Sequence, residues 1–196
     1  MTATIFFIRH ARHQDIGRTL SGRRPGLSLS EAGRGEAAAL SARLSSWRFG
    51  SVHSSPVQRA RETAAAIAGD SAVVVADALQ EVDFGEWTGS AFADLDARDD
   101  WRDWNENRGH ARAPGGENMA QVQARVVAHT NEVARRHPGQ AVALVSHMDV
   151  IRAAIAHFLG LSLHRLLSFD IEPASWSRVA VGEWGGRVMS VNETVG

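Results

Sequence analysis

Four short stretches of the sequence carry side chains that could do chemistry together. Arg9 and His10 stand side by side in "FFIRHA", and "SSPVQRARET" holds Arg59 and Arg61. "LQEVDFGEW" holds Glu81, Asp83 and Glu86, and "LVSHMD" holds His147. Planar guanidiniums bind the spread negative charge of phosphoryl oxygens through paired hydrogen bonds. A neutral imidazole is nucleophilic near neutral pH, and a carboxylic acid that keeps its proton can give it to a departing alkoxide. Two imidazoles, at least two guanidiniums and a carboxylate therefore suit phosphoryl transfer. In such a scheme Arg and His supply the electrostatic stabilisation that Mg²⁺ gives elsewhere.

The set works only if the chain gathers it in one place. Thr4–Ile8 reads as a short buried strand, with Arg9–His10 at its end. "PGLSLSEAG" supplies a turn and a helix start, with Ser30 or Ser28 as N-cap. Ala37, Leu40, Leu44 and Trp47 follow at helical period. "GSVHSS" is a second strand, and Pro56 after Ser55 reads as the first position of a helix running to about Ile67. "AVVVADA" is a third strand. Met119, Val122, Val126 and Val133 mark a long helix ending near "RRHPG". "AVALVS" is a fourth strand, followed by a helix through Val150, Ile151, Ala154, Ile155 and Phe158. "SRVAVGEW" and "RVMSV" predict a terminal hairpin around Gly185–Gly186.

Strands alternating with helices predict an α/β layer structure with a mainly parallel sheet. In such sheets ligands bind outside the carboxyl ends of the strands. Three of the four strand ends present Arg or His and one presents carboxylates, so the candidate residues converge there. No linker or repeat interrupts the pattern. The expectation is one domain over residues 1–196, with the irregular stretch 84–114 as an insertion or lid. Trp101 and Trp104 in that stretch either face a ligand or anchor it to the core.

"FIRHA", "SSPVQRARETA", "LQEVDFGEWTG" and "LVSHMDVIRA" resemble, in the same order, the four signature blocks of the histidine phosphatase superfamily, the phosphoglycerate mutase-like proteins. The resemblance runs from Thr4 to about Ala180. It implies a three-layer α/β/α fold with a mainly parallel central sheet, and no cofactor. Carried over block by block, His10 matches the nucleophile that becomes phosphohistidine. Arg9, Arg59 and His147 match the phosphate-binding set, and Glu81 matches the proton donor. Ser21 and Gly22 lie where mutases of the family contact substrate. The implied activity is metal-independent hydrolysis of a small phosphorylated metabolite. A phosphoglycerate-type mutase and a non-catalytic phospholigand-binding homologue are the alternatives. Three places depart from the family pattern: Ala11 stands for the usual Gly, Arg12–His13 for Glu-Ser/Thr, and Met148 for the Gly after the second histidine.

Composition excludes some partners. The 196 residues are 44% hydrophobic and 22% charged with a formal net charge of −1, which gives no reason to expect nucleic acid or an anionic membrane. Cysteine is absent, so disulfides, thiolate ligands and a cysteine nucleophile are ruled out. No stretch approaches the ~18 apolar residues of a membrane span, and "MTATIFF" lacks the basic start of a signal peptide. A cytoplasmic enzyme is the plain expectation; the oligomeric state is not readable. His13, His53, His129 and His157 are expected to be structural or on the surface, and Arg61 to point away. No third ligand follows His10 and His13 at metal-binding spacing, so no metal is expected. Arg18, Arg23 and Arg24 form either a solvated basic loop or a substrate contact.

Overall fold

The computed structural model describes residues 1–195. Six strands, β1 (Ala3–Arg9), β2 (Phe49–Ser54), β3 (Val73–Val75), β4 (Ala141–Ser146), β5 (Trp176–Gly182) and β6 (Gly185–Glu193), form one sheet in the order β3-β2-β4-β1-β5-β6. The first four in chain order are mutually parallel, and β5 and β6 continue the sheet antiparallel. The sheet is thus mixed, with its parallel part at the candidate residues.

The apolar run of β1 follows from its central position. Ile5 and Phe7 face the cluster built by α5 (Met119–Arg136) and α6 (Met148–Leu159), while Phe6 and Ile8 face α1 (Glu31–Leu44) and α2 (Gln58–Ala68). A strand covered on both sides needs apolar residues at every position, not alternate ones. Each such side chain contributes roughly 1.5–3 kcal/mol by leaving water. Two more helices, α3 (Phe92–Leu95) and α4 (Asp99–Glu106), lie in the irregular stretch. The result is three layers, helix on sheet on helix.

Several local expectations need correction. Ser30, not Ser28, caps α1, its Oγ accepting from the Gly33 amide at 3.0 Å. The helix stops at Leu44; Trp47 lies beyond it and packs edge-on against Phe6 at 4.8 Å. Pro56 does not open α2, which begins at Gln58 with Val57 as its cap residue and no side-chain cap. β3 is only three residues long and its Val74 and Val75 are exposed, as befits an edge strand. The terminal hairpin turns at Glu183–Trp184, so Gly185 opens β6.

The stretch 84–114 is held by its tryptophans. Trp87, Trp101 and Trp104 are all buried and meet edge to face, at 5.3 Å for Trp87–Trp101 and 5.9 Å for Trp87–Trp104. Trp101 and Trp104 therefore serve as core anchors and do not face the cavity described below. Gly85, at φ +49°, marks where the stretch folds back: a Cβ there would meet the Pro114 carbonyl oxygen at 2.0 Å.

Candidate active site

Register brings the chemistry together. Arg9 of β1 pairs with Ser146 of β4, and Ser54 of β2 pairs with Val145. His10, His147 and Ser55 are the next residues along these three neighbouring strands, so they emerge side by side. The His10 amide donates to the Ser146 carbonyl at 3.0 Å and the Ser55 amide to the Val145 carbonyl at 2.9 Å, which extends the ladder by one step. The rings of His10 and His147 meet at 5.1 Å. Glu81 arrives by another route, from the turn after β3, which the Ser146 hydroxyl fixes by donating to the Leu79 carbonyl at 2.6 Å.

His10 is almost wholly buried, and its two nitrogens are differentiated. Nδ1 lies 2.8 Å from the Ala11 carbonyl, an acceptor, so it carries the proton. Nε2 is then the unprotonated nitrogen, and its lone pair accepts from Arg59 Nε at 3.1 Å. Burial, with Arg59 and Arg9 beside it, holds the His10 pKa well below the usual imidazole value. The ring is therefore neutral at physiological pH. Ala11 is itself fully buried, packs in the core and is not among the residues at positive φ, so a Cβ fits where the family usually has Gly.

Arg59, in the first turn of α2, joins the rest. Its Nη2 donates to the Gly22 carbonyl at 2.9 Å and lies 3.3 Å from His147 Nδ1 and 3.8 Å from Glu81 Oε2. Its Nη1 is buried with no partner, and so is Arg9 Nε. A buried donor left unpaired costs about 1–3 kcal/mol. Two such donors on residues lining one cavity are an arrangement for an anion to complete. Arg9 is held in place by donating from Nη1 to the Ile171 carbonyl at 2.6 Å.

Glu81 sits in a site that favours its neutral form. Burial raises its pKa to about 7, and Asp149 adds to this; Arg59, Arg9 and the Val82 amide pull the other way and lose. Oε1 accepts from the Val82 amide at 2.9 Å, and Oε2 lies 3.5 Å from His147 Nδ1. Its backbone is fixed by a clamp. Arg23 Nε and Arg125 Nη2 donate to the Glu81 carbonyl at 2.8 Å and 3.3 Å, and both guanidiniums pair with Glu117.

These residues line a cavity of about 440 Å³. Of the expected site residues, Arg9, His10, Ser21, Gly22, Arg59 and Glu81 lie on its wall. His147 is fully buried behind them, with Nε2 2.8 Å from Ser55 Oγ and Nδ1 toward Arg59 and Glu81. It begins α6 but makes no side-chain cap bond, which sets aside a purely helix-capping role. Arg61 is absent from the wall, as expected.

Some contributors escape the sequence reading. His13 does not lie apart: it is buried, lines the cavity and sits 5.5 Å from the His10 ring. Burial and then Arg59 lower its pKa to about 4. Among the described residues, His10 and His13 gather no third His, Asp or Glu that would make a metal-binding group. Arg23 does not line the cavity; it bonds to Glu117 and to the Glu81 carbonyl, and so belongs to the Glu81 clamp. Asp149 also lines the cavity: burial would raise its pKa, but Arg108, at 2.9 Å, and Arg152 outweigh this and keep it ionised. His53 and His129 meet each other at 5.1 Å, away from the cavity.

The family-wide sequence pattern described as the histidine phosphatase superfamily (branch 1) matches residues 5–194. Phosphoserine phosphatase 1 of Hydrogenobacter thermophilus is 33% identical over 196 residues, covering 97% of this chain and 92% of that protein. An adenosylcobalamin/alpha-ribazole phosphatase of Salmonella typhimurium is 27% identical, covering 91% of each. The solved structure of a mycobacterial glucosyl-3-phosphoglycerate phosphatase in complex with VO3 superimposes with a TM-score of 0.86 at 28% identity, over 97% of this chain and 99% of that one. Among the described residues no helix is long and apolar enough to cross a membrane.

Proposed function

This chain belongs to the histidine phosphatase superfamily and is a phosphatase, and we propose that it hydrolyses phosphomonoesters of small metabolites through a phosphohistidine on His10, without a metal. The observation that carries the reading is the state of His10: Nδ1 holds the proton against the Ala11 carbonyl, and the unprotonated Nε2 accepts from Arg59. In this reading the phosphoryl oxygens take up the unpaired Arg59 Nη1 and Arg9 Nε. Nε2 attacks phosphorus in line, a P–N bond forms as the P–O bond to the alcohol breaks, and Glu81 gives its proton to the departing oxygen. Glu81 then takes a proton from water as the water attacks the phosphohistidine; the P–N bond breaks, His10 regains its lone pair and phosphate leaves. His147, held by Ser55, orients Arg59 and Glu81 from behind the cavity wall.

The whole chain acts as one catalytic domain in this account. The segment 84–114 contributes cavity wall through Phe84 and Phe92, and the enzyme works in the cytoplasm. Phosphatase names among relatives that span nearly the full chain favour hydrolysis over internal transfer. The test is release of inorganic phosphate from a panel of sugar, nucleotide and amino-acid phosphates after exhaustive treatment with EDTA, with orthovanadate as inhibitor. Undiminished, vanadate-sensitive release is expected. Loss in EDTA that Mg²⁺ restores would sink the metal-independent mechanism. Isomerisation of 3-phosphoglycerate with no free phosphate would establish the mutase, and absence of any turnover would favour a phospholigand-binding protein.

A further inference from the structure

Beyond the phosphoryl end, the cavity changes character. Its remaining wall is built largely by Ile16, Leu20, Phe84, Phe92, Met148 and Pro173. The exposed Arg18 does not line the cavity, and the other guanidiniums on or beside this half are each paired with a carboxylate. Arg12 pairs with Glu36 at 3.3 Å, Arg24 with Asp15 at 3.1 Å, and Arg23 with Glu117 at 2.9 Å. Arg9 and Arg59 are committed to the phosphoryl group. Besides Glu81, two carboxylates line the cavity. Asp149 is neutralised by Arg108 and Arg152, but the Glu172 carboxylate has no partner among the described residues. A volume of about 440 Å³ lies within the roughly 300–1,000 Å³ of sites that enclose a ring-bearing ligand.

We propose that the alcohol half of the substrate presents an apolar, ring-sized surface and carries no carboxylate. The proposal rests on the phosphatase reading and names its substrate class. A carboxylate-bearing alcohol, such as that of phosphoserine or phosphoglycerate, loses hydration on entering this half, gains no unpaired cation of the cavity wall in return and meets Glu172. A ring in the same place removes the exposed face of Phe92 from water. An ammonium or hydroxyl on the ring side would find Glu172 as acceptor.

The test compares primary alkyl esters, so that leaving-group acidity does not dominate the result. Wild-type kcat/KM is measured for 2-phenylethyl phosphate, O-phosphoserine and 3-phosphoglycerate. The phenylethyl ester is expected to lead both acids by at least about tenfold, the scale of discrimination by apolar pocket contacts. Phe92→Ala should narrow that lead several-fold, Phe92→Leu should narrow it less, and Glu172→Gln should raise kcat/KM for 3-phosphoglycerate. Equal or better turnover of either acid would overturn the proposal and leave the phosphatase reading intact. So would a Phe92→Ala variant of unchanged melting temperature that loses activity equally on all three esters. Absence of His10-dependent phosphate release from every ester would sink the phosphatase reading, and this inference with it.

Discussion

Arg59 Nε donates to the unprotonated Nε2 of His10 across 3.1 Å, so the proposed nucleophile and the proposed phosphate clamp share a hydrogen bond. That bond occupies the Nε2 lone pair, so an entering phosphoryl group has to take the place of the Arg59 Nε–H. It also means the two groups act as one unit when a phosphoryl group enters between them.

Arg59→Lys keeps a positive charge but loses the fork of donors that spans His10, Gly22 and His147. Steady-state kinetics should show kcat/KM lower by at least ~100-fold, on the scale of removing one oriented donor from a developing anion. In Arg59→Gln the His10 pKa should rise, because Arg59 is the second largest cause of its depression after burial. NMR titration reads this directly. A loss under threefold in the Lys variant would mean that Arg59 does not hold the phosphoryl group.

Glu81 sets a pH dependence. With its pKa near 7, kcat/KM should fall as pH rises through about 7, since the proton needed by the leaving oxygen is lost. Glu81→Gln should abolish that limb, and its penalty should shrink for p-nitrophenyl phosphate, whose leaving group needs little protonation. Stability carries the same signature. The folded chain keeps this proton between the ordinary 4.5 and about 7 while the unfolded chain has released it, so folding stability declines as pH climbs through that window. The decline is on the order of 3 kcal/mol, and the melting temperature of Glu81→Gln should gain on wild type over the same range. Parallel melting curves for the two proteins across pH 4.5–7 would show that the group is not raised.

Ser55 tests the support of His147. Its hydroxyl, 2.8 Å from His147 Nε2, is the side-chain partner on that side of a fully buried ring. Ser55→Ala leaves that nitrogen unpaired, at about 1–3 kcal/mol of stability. Turnover should fall by roughly tenfold while kcat/KM recovers in Ser55→Thr. Unchanged kinetics in the Ala variant would mean that His147 needs no such support.

The central constellation is legible in the sequence because Arg9–His10 and His147 directly follow strands whose apolar runs are unmistakable. Parallel pairing then aligns them whatever the rest of the chain does. Ser55 is less legible: a serine before proline reads as a helix cap, and its hydroxyl does accept from the Val57 amide at 3.2 Å, but only the pairing of β2 with β4 reveals that it also meets His147. The Arg23–Glu117–Arg125 clamp joins residues far apart in sequence, which no local period can connect. Trp101 and Trp104 sit among acidic residues and read equally as ligand-facing or as core anchors, and the aromatic cluster around Trp87 takes them inward. His13 looks like part of a polar loop, but the turn that pairs it with Leu29 buries it in the cavity wall.

The most direct measurement is to find the phosphate itself. Wild-type enzyme quenched in alkali during turnover should carry acid-labile, alkali-stable phosphate, and peptide mass spectrometry should assign it to His10. His10→Ala should carry none and should turn over at least ~10³-fold more slowly. Phosphate found on His13 or His147, or turnover that survives in His10→Ala, would contradict the account.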